Sequence, residues 1–219
     1  MRQGTKLKIW GRANSANVQK VMWAVAELGL PHERIDAGLH HGHVNTPEYA
    51  AMNPMRLVPV MDDGGFILWE SHAIVRYLAE TYGRGTLAPQ DRRAFAVADQ
   101  WMDWSHTTIQ PDIIATCFIG LIRTTAAERN TAAIAAAAKR AGERLAILDA
   151  QLKGRDYIGG MTLTMADIAL GTLMYRYYTM LIARPSLPNV EAWYARLCAR
   201  PPYQANVMIE YASLKVPGA

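Results

Sequence analysis

The stretch LVPVMDDGGFILWESHAIVRYLAE, from Leu57 to Glu80, most restricts the folds open to this chain. VPVMD and FILWE predict two strands, and the glycines between them can adopt the positive φ of a tight turn, so the strands should pair as an antiparallel hairpin. A helix should follow from about Ser71, with Ile74, Tyr77 and Leu78 on one face. The stretch therefore predicts a ββα unit.

The residues before this hairpin predict a strand, a helix and a second strand. KLKIWG alternates charged and apolar residues, which indicates a strand with one buried face. NSANVQKVMWAVAELGL has helical spacing of its apolar residues and a glycine at its end, and HERIDA predicts a more polar strand. Such a βαβ unit is parallel and right-handed. The segment from His40 to Pro54 is expected to form a loop.

Strand patterns stop at GRGTLAPQD, whose glycine, proline and polar residues are typical of a linker. We therefore predict an α/β domain (βαβ then ββα) over residues 1–83, a linker over 84–90 and an all-helical domain over 91–219. In the helical part, LTMADIAL predicts a helix start in which Thr164 and Asp167 form a capping box, which makes a catalytic role for this acid much less favoured.

Bulk composition excludes several function classes. The net charge of +4 is spread over 219 residues without a long basic run, so no nucleic-acid partner is expected. No apolar run approaches the roughly 20 residues needed to span a bilayer, so neither a membrane partner nor a signal peptide is expected and the protein should be cytoplasmic. Cys117 and Cys198 lie in predicted helices without metal-ligand spacing, so no metal is expected.

The proline in the first strand of the hairpin raises a question, because proline cannot donate to a strand ladder. If the Val58–Pro59 bond is cis, the N–H and C=O of Val58 point outward and can pair with an extended peptide. An edge strand with an ordinary trans proline explains the sequence equally well. Both interpretations stay open on spacing alone.

Glu70 and Ser71 stand where a strand ends and a helix begins. The free amides and dipole of a helix N-terminus favour an anion, and the Ser71 hydroxyl adds a donor for a carboxylate. Glu70 can hold an ammonium, so the pair suits the zwitterionic end of an amino acid. A plain capping role for Ser71 is the commoner alternative.

Ser15 precedes the first predicted helix. A hydroxyl there can donate to a thiolate near the helix N-terminus, and both the hydrogen bond and the dipole favour ionisation of the thiol. Simple capping by Ser15 is the alternative, and Asn14 or Asn17 can also supply a donor.

Five motifs, NSANVQKV, NPMRLVPV, LWESHAIVRYL, LTMADIAL and LPNVEAWYARLCARPPYQ, occur in an order that resembles the cytosolic glutathione transferase family, including its serine-type and bacterial-type members. The resemblance covers nearly the whole chain. It implies a thioredoxin-like domain that binds glutathione as cosubstrate, a helical domain that shapes the pocket for a small-molecule electrophile, and a homodimer active in detoxification.

Carried over by position, the resemblance implies that Ser15 activates the glutathione thiol. It also implies that Val58, before the cis Pro59, pairs with the cysteinyl unit and that Glu70 and Ser71 hold the γ-glutamyl end. Leu57 stands where many relatives have a polar residue for the glycyl carboxylate. The candidates to replace that contact are Arg56, His43 and Asn45.

Other aromatic and polar side chains are candidates for the electrophile pocket, although core packing is the default for aromatics at helical spacing. These candidates are Arg12, Asn14, Trp104, His106 and Tyr175. A metal site at the loop histidines His40, His41 and His43 is disfavoured, because no cysteine or carboxylate accompanies them at ligand spacing.

Three functions compete. The first is a transferase that joins the glutathione thiolate to apolar electrophiles. The second is a glutathione-dependent disulfide reductase or peroxidase-like enzyme, which would have to work without a protein thiol because the first domain lacks cysteine. The third is a scaffold that retained the fold without catalysis.

Overall fold

The computed structural model describes residues 6–218. The first domain contains four strands, β1 (Leu7–Trp10), β2 (His32–Ile35), β3 (Val60–Asp63) and β4 (Phe66–Trp69). They form one sheet in the order β2-β1-β3-β4. The central pair β1 and β3 is antiparallel with Ile9 opposite Met61, and both side chains are fully buried. β2 is parallel to β1 and β4 is antiparallel to β3, as the sequence predicted.

Among the described residues this domain has three α-helices, α1 (Ala16–Glu27), α2 (Pro47–Met52) and α3 (Ser71–Tyr82), and a short 3-10 helix over Leu39–His41. The prediction of a loop from His40 to Pro54 was wrong for α2. The Thr46 hydroxyl accepts a hydrogen bond from the Tyr49 amide at 3.2 Å, and Pro47 occupies the first helical position. Both features stabilise a helix start, so this short helix has ordinary capping signals.

The second domain consists of helices joined by loops. Its helices are α4 (Arg92–Trp104), α5 (Ile119–Ile122), α6 (Thr131–Leu152), α7 (Met165–Thr179), α8 (Pro188–Cys198) and α9 (Pro201–Asn206). Between α4 and α5 the chain continues as wide π-helical turns over Ser105–Ile109 and Pro111–Phe118. Pro111 has no amide hydrogen, so one hydrogen bond of the regular α-helical pattern cannot form there. This favours a local change of helix type.

At the interface between the two domains, α1 packs against α7 and α9. The fully buried Trp23 of α1 meets Tyr203 edge to face at a centroid distance of 4.7 Å. A β-carbon added to Gly171 of α7 would lie 3.0 Å from the Trp23 ring, so the glycine permits this close approach. The Glu27 carboxylate pairs with the Arg200 guanidinium at 2.6 Å. These contacts fix α1 against the helical domain.

Asp167 has the structural role that the sequence predicted. Its carboxylate accepts from the Thr164 amide at 2.8 Å, from the Ile158 amide at 3.0 Å and from Trp193 Nε1 at 2.9 Å. The side chain is fully buried. It therefore joins the start of α7 to α8 and has no access to a substrate.

Candidate active site

The strand register brings three loops to one edge of the sheet. Val60 of β3 is paired on one side with Trp10 at the end of β1 and on the other with Trp69 at the end of β4. The loop that carries Ser15, the segment before β3 and the start of α3 at Glu70 therefore emerge at the same edge. Topology alone gathers the main predicted site residues there.

The Val58–Pro59 peptide bond is cis, which decides between the two interpretations left open by the sequence. The preceding carbonyl, that of Leu57, accepts hydrogen bonds from Tyr49 Oη at 2.8 Å and from Asn53 Nδ2 at 2.9 Å. Across residues 6–218, the main chain of Val58 has no backbone hydrogen bond. Its N–H and C=O are therefore available to a bound peptide.

Glu70 takes a backbone conformation that is rare for a residue with a side chain, with φ 72° and ψ 114°. Its carboxylate is exposed and caps no amide among the described residues. Ser71 is the first residue of α3 and is only 5% exposed. A carboxylate and a hydroxyl thus stand side by side at a helix N-terminus, as the sequence predicted.

Ser15 is the residue before α1, yet its hydroxyl makes no capping hydrogen bond in the described part of the chain. The side chain is 8% exposed and lines a cleft of about 160 Å³ between the domains. The hydroxyl is consequently not committed to the helix end. The same cleft is lined by Asn14, Asn17 and Gln110.

Three guanidinium groups, those of Arg12, Arg123 and Arg176, also line this cleft, whereas no carboxylate does among its described lining residues. Arg176 is 1% exposed, and burial lowers its pKa to about 10, which leaves it charged at neutral pH. Burial and the neighbouring Arg123 lower the pKa of Arg12. The cleft therefore has a positive potential that favours an anion.

Arg12 also connects Ser15 to the Val58 segment. Gly38 has a φ of 86°, and a β-carbon placed on it would lie 3.3 Å from Arg12 Nη1 and 3.4 Å from Val58 Cγ1. Both side chains thus pack against one glycine. The Arg12 side chain therefore lies beside Val58 as well as in the cleft that contains Ser15.

The three residues predicted near the glycyl carboxylate lie in the loops on either side of α2. Arg56, His43 and Asn45 are all exposed, and the first two have positive φ values of 55° and 65°. No cluster of three potential metal ligands occurs among the described residues.

The other electrophile-pocket candidates lie apart from the cleft around Ser15. Trp104 packs edge to face on Trp101 at 5.0 Å, and the His106 ring lies 5.2 Å from the ring of His72. Tyr175 lines a neighbouring cavity of about 300 Å³ together with other residues of the second domain. Of the predicted set, only Arg12 and Asn14 line the cleft with Ser15.

A cavity of about 790 Å³ lies elsewhere, between α6 and the segment Leu181–Leu187. None of the predicted site residues lines it. Although this cavity is larger than the Ser15 cleft, it holds none of the side chains expected to bind glutathione.

Two buried cations in or beside this cleft were not predicted from the sequence. Lys20, fully buried on α1, donates to Gln110 Oε1 at 2.5 Å. Arg176 reaches from α7 to the Asn14 carbonyl at 2.7 Å. A charged residue on the apolar side of each helix was a signal that could have been pursued, because buried cations are rare unless they are paired.

A thioredoxin-like domain with a cis-proline just before β3, joined to a helical domain across a cationic cleft, defines the class of protein. Residues 5–80 match the family model for the glutathione S-transferase N-terminal domain, and residues 97–201 match the model for the glutathione S-transferase C-terminal domain. The chain is 38% identical to Glutathione S-transferase GstB of Escherichia coli over 93% of its length and 98% of that protein.

Comparison with solved structures points to the same family. A theta class glutathione S-transferase from Xanthomonas axonopodis with glutathione bound has a TM-score of 0.88 and 45% identity, covering 93% of this chain and 98% of that one. The Bombyx mori glutathione transferase BmGSTD1 has a TM-score of 0.84 and 28% identity, covering 96% of both chains. The chain belongs to the glutathione S-transferase family. It is a transferase that uses glutathione, so the first of the three competing functions is confirmed at that level.

Within residues 6–218, none of the helices combines the length and apolar character needed to cross a bilayer.

Proposed function

We propose that Ser15 stabilises the thiolate of bound glutathione and that this thiolate attacks an apolar electrophile. The observation that carries the proposal is the uncommitted Ser15 hydroxyl in a cleft with three guanidinium groups and no described carboxylate. A hydroxyl donor, a helix N-terminus and positive charge each favour the thiolate over the thiol. Together they lower the pKa of the cosubstrate, which supplies the nucleophile.

Glutathione lies extended across the sheet edge in this proposal. The Val58 main chain pairs with the cysteinyl unit beside the cis Pro59, while Glu70 receives the γ-glutamyl ammonium and Ser71 its carboxylate. Arg56, with His43 or Asn45, meets the glycyl carboxylate from the exposed loops. These contacts use binding energy to place the sulfur near Ser15.

The chemical step forms a carbon–sulfur bond. The thiolate supplies the electron pair, and the electrophile either accepts it by addition or releases a leaving group such as halide. The proton lost by the thiol passes to solvent. The apolar lining that would contact the electrophile consists of Ile114, Phe118, Ile119 and Leu214, beside Arg12 and Asn14.

The test separates binding from turnover. Calorimetric titration with glutathione and conjugation of a nitro-substituted aryl chloride are measured for the native protein, Ser15→Ala and Ser71→Ala. Ser15→Ala should lower turnover about a hundredfold while leaving the glutathione Kd within about twofold. Ser71→Ala should weaken binding instead.

Ser186→Ala is the matched control, because Ser186 is exposed in the segment before α8 and remote in sequence from the site. Unchanged turnover in Ser15→Ala would contradict the assigned role. A homodimer, a cytoplasmic location and a role in detoxification remain predictions. Sedimentation at several protein concentrations tests the first of these.

A further inference from the structure

Lys20 is a buried cation whose position suggests a role in the cleft. It is 0% exposed, and its Nζ donates to Asn17 Oδ1 at 3.2 Å and to Gln110 Oε1 at 2.5 Å. Both partners are neutral amides, and no carboxylate lies within ion-pair distance of it in the described chain. Burying an ammonium without a paired carboxylate is costly, so its retention needs a reason other than fold stability.

The hydrogen bonds of Lys20 determine the orientation of Asn17. An ammonium can only donate, so the Asn17 atom that faces it must be the carbonyl oxygen. Gln110 Nε2 approaches the same oxygen at 3.4 Å. Because both donors face the Asn17 oxygen, the Asn17 amino group points away from Lys20 and Gln110. That Nδ2 makes no hydrogen bond within residues 6–218.

Asn17 is partly exposed and lines the cleft together with Ser15 and Gln110. Asn14, the other asparagine of this loop, is different. Its Nδ2 already donates to Ser213 Oγ at 3.1 Å, and its Oδ1 is buried without a partner. An acceptor oxygen disfavours a nearby anion. Of the two asparagines, Asn17 is therefore the one with a donor to offer.

We propose that the Asn17 amino group donates a second hydrogen bond to the glutathione thiolate beside Ser15, and that Lys20 and Gln110 are positioning residues that hold it in this orientation. The inference rests on the proposed function, because it concerns the same thiolate. Hydrogen bonds to an ionised acceptor are roughly twice as strong as neutral ones, so a second donor lowers the thiol pKa further.

The charged groups around Lys20 come from both domains. The Glu70 carboxylate on the first domain favours its ammonium form, whereas Arg176 on α7 opposes it. His72 of α3 stays neutral, since burial lowers the pKa of this imidazole to about 2. Glu70 is also the proposed partner of the γ-glutamyl ammonium, so Lys20 belongs electrostatically to the same site.

The experiment measures the pKa of the enzyme-bound thiol by following the ultraviolet absorbance of the thiolate against pH in the intact protein. Asn17→Ala should raise this pKa by about one unit, equivalent to a tenfold loss of thiolate near neutral pH. Asn17→Asp, which keeps the contact with Lys20 but adds a negative charge, should raise it at least as far. The calorimetric Kd for glutathione should change less than turnover does in both variants.

Lys20→Met tests the positioning role. It should raise the thiol pKa less than Asn17→Ala does, and the double variant Lys20→Met/Asn17→Ala should behave as Asn17→Ala alone. Lys139→Met, which removes an exposed lysine from α6, is the matched control and should leave the thiol pKa unchanged. Circular dichroism confirms that each variant is folded.

A thiol pKa unchanged in Asn17→Ala but raised in Ser15→Ala would overturn this inference and leave the proposed function intact. Additive effects of Lys20→Met and Asn17→Ala would overturn the positioning role. A thiol pKa unaffected by Ser15→Ala, or no glutathione binding by the native protein, would overturn the proposed function itself.

Discussion

The guanidinium of Arg176 donates to the backbone carbonyl of Asn14 at 2.7 Å, so a helix of the second domain holds the loop that carries Ser15. Its other terminal nitrogen donates to Gln19 Oε1 at 2.6 Å. The guanidinium also lies 5.0 Å from the centre of the Phe118 ring. One side chain therefore links the geometry of the loop that carries Ser15 to the packing of the helical domain.

Replacing Arg176 with lysine should damage stability and turnover together. Lysine keeps the charge but not the planar fork that reaches two acceptors, so at least one buried group loses its donor. We expect the free energy of unfolding to fall by about 1–3 kcal/mol, measured by urea titration. Arg92→Lys, at the exposed start of α4, is the control. Equal stability of Arg176→Lys and the native protein would show that the fork is dispensable.

Local sequence patterns predicted the hairpin, the parallel βαβ unit and the start of α7, because each depends on residues within one element. The hairpin of β3 and β4 needs only strand periodicity and the glycine pair Gly64–Gly65, both of which have positive φ. Helix-capping signals, which are equally local, were present at Thr46–Pro47, where α2 was nevertheless missed. Ser15, Glu70 and Ser71 could be proposed as site residues from the sequence because they stand at element boundaries.

The remaining site residues depend on contacts between distant parts of the chain. Arg176 meets Gln19 across 157 positions, and Gln110 meets Lys20 across 90. No spacing rule connects such pairs, since their meeting requires the packing of α7 and the π-helical segment against α1. Likewise, the cis form of Val58–Pro59 was one of two equal choices until the structure decided it.

The contacts of the Leu57 carbonyl should govern glutathione affinity. Tyr49→Phe and Asn53→Ala each remove one of its two donors, so the segment that presents Val58 loses part of its support. We expect each variant to lower the free energy of unfolding by about 0.5–1.5 kcal/mol and to weaken glutathione binding. The combined variant should lose more than the sum, because the carbonyl then has no protein donor. Calorimetry and urea titration measure both effects. Tyr82→Phe removes a hydroxyl that donates to Asp63 at the other end of β3, so it is the control for affinity and should leave glutathione binding unchanged. If Tyr49→Phe/Asn53→Ala bound glutathione as tightly as the native protein, the contacts of the Leu57 carbonyl would have no role in glutathione affinity.

Glu70 combines an unfavourable backbone conformation with a proposed binding role. Its φ of 72° with ψ 114° favours glycine, so Glu70→Gly should be more stable than Glu70→Ala by about 1 kcal/mol in urea titration. Both variants should bind glutathione much more weakly, because the carboxylate is lost. Glu70→Gln keeps the side-chain shape and isolates the contribution of charge. If Glu70→Ala were as stable as Glu70→Gly, the backbone strain would be refuted.

Lys20 should make stability depend on pH in the alkaline range. Burial lowers its pKa from 10.5 to about 7, so between these values the unfolded chain binds more protons at this position than the folded protein does. The free energy of unfolding should therefore rise with pH from about 7 towards 10, by at most about 1.4 kcal/mol per pH unit from this group. Lys20→Met removes the titrating amine and should flatten that rise, whereas the exposed-site control Lys139→Met should retain it. Urea titrations at intervals across this range measure the slope. Burying this amine costs least when it is neutral, so the stability advantage of Lys20→Met over the native protein should be largest near pH 7 and below. If the free energy of unfolding had the same pH dependence in both proteins, Lys20 would have to stay charged across this range.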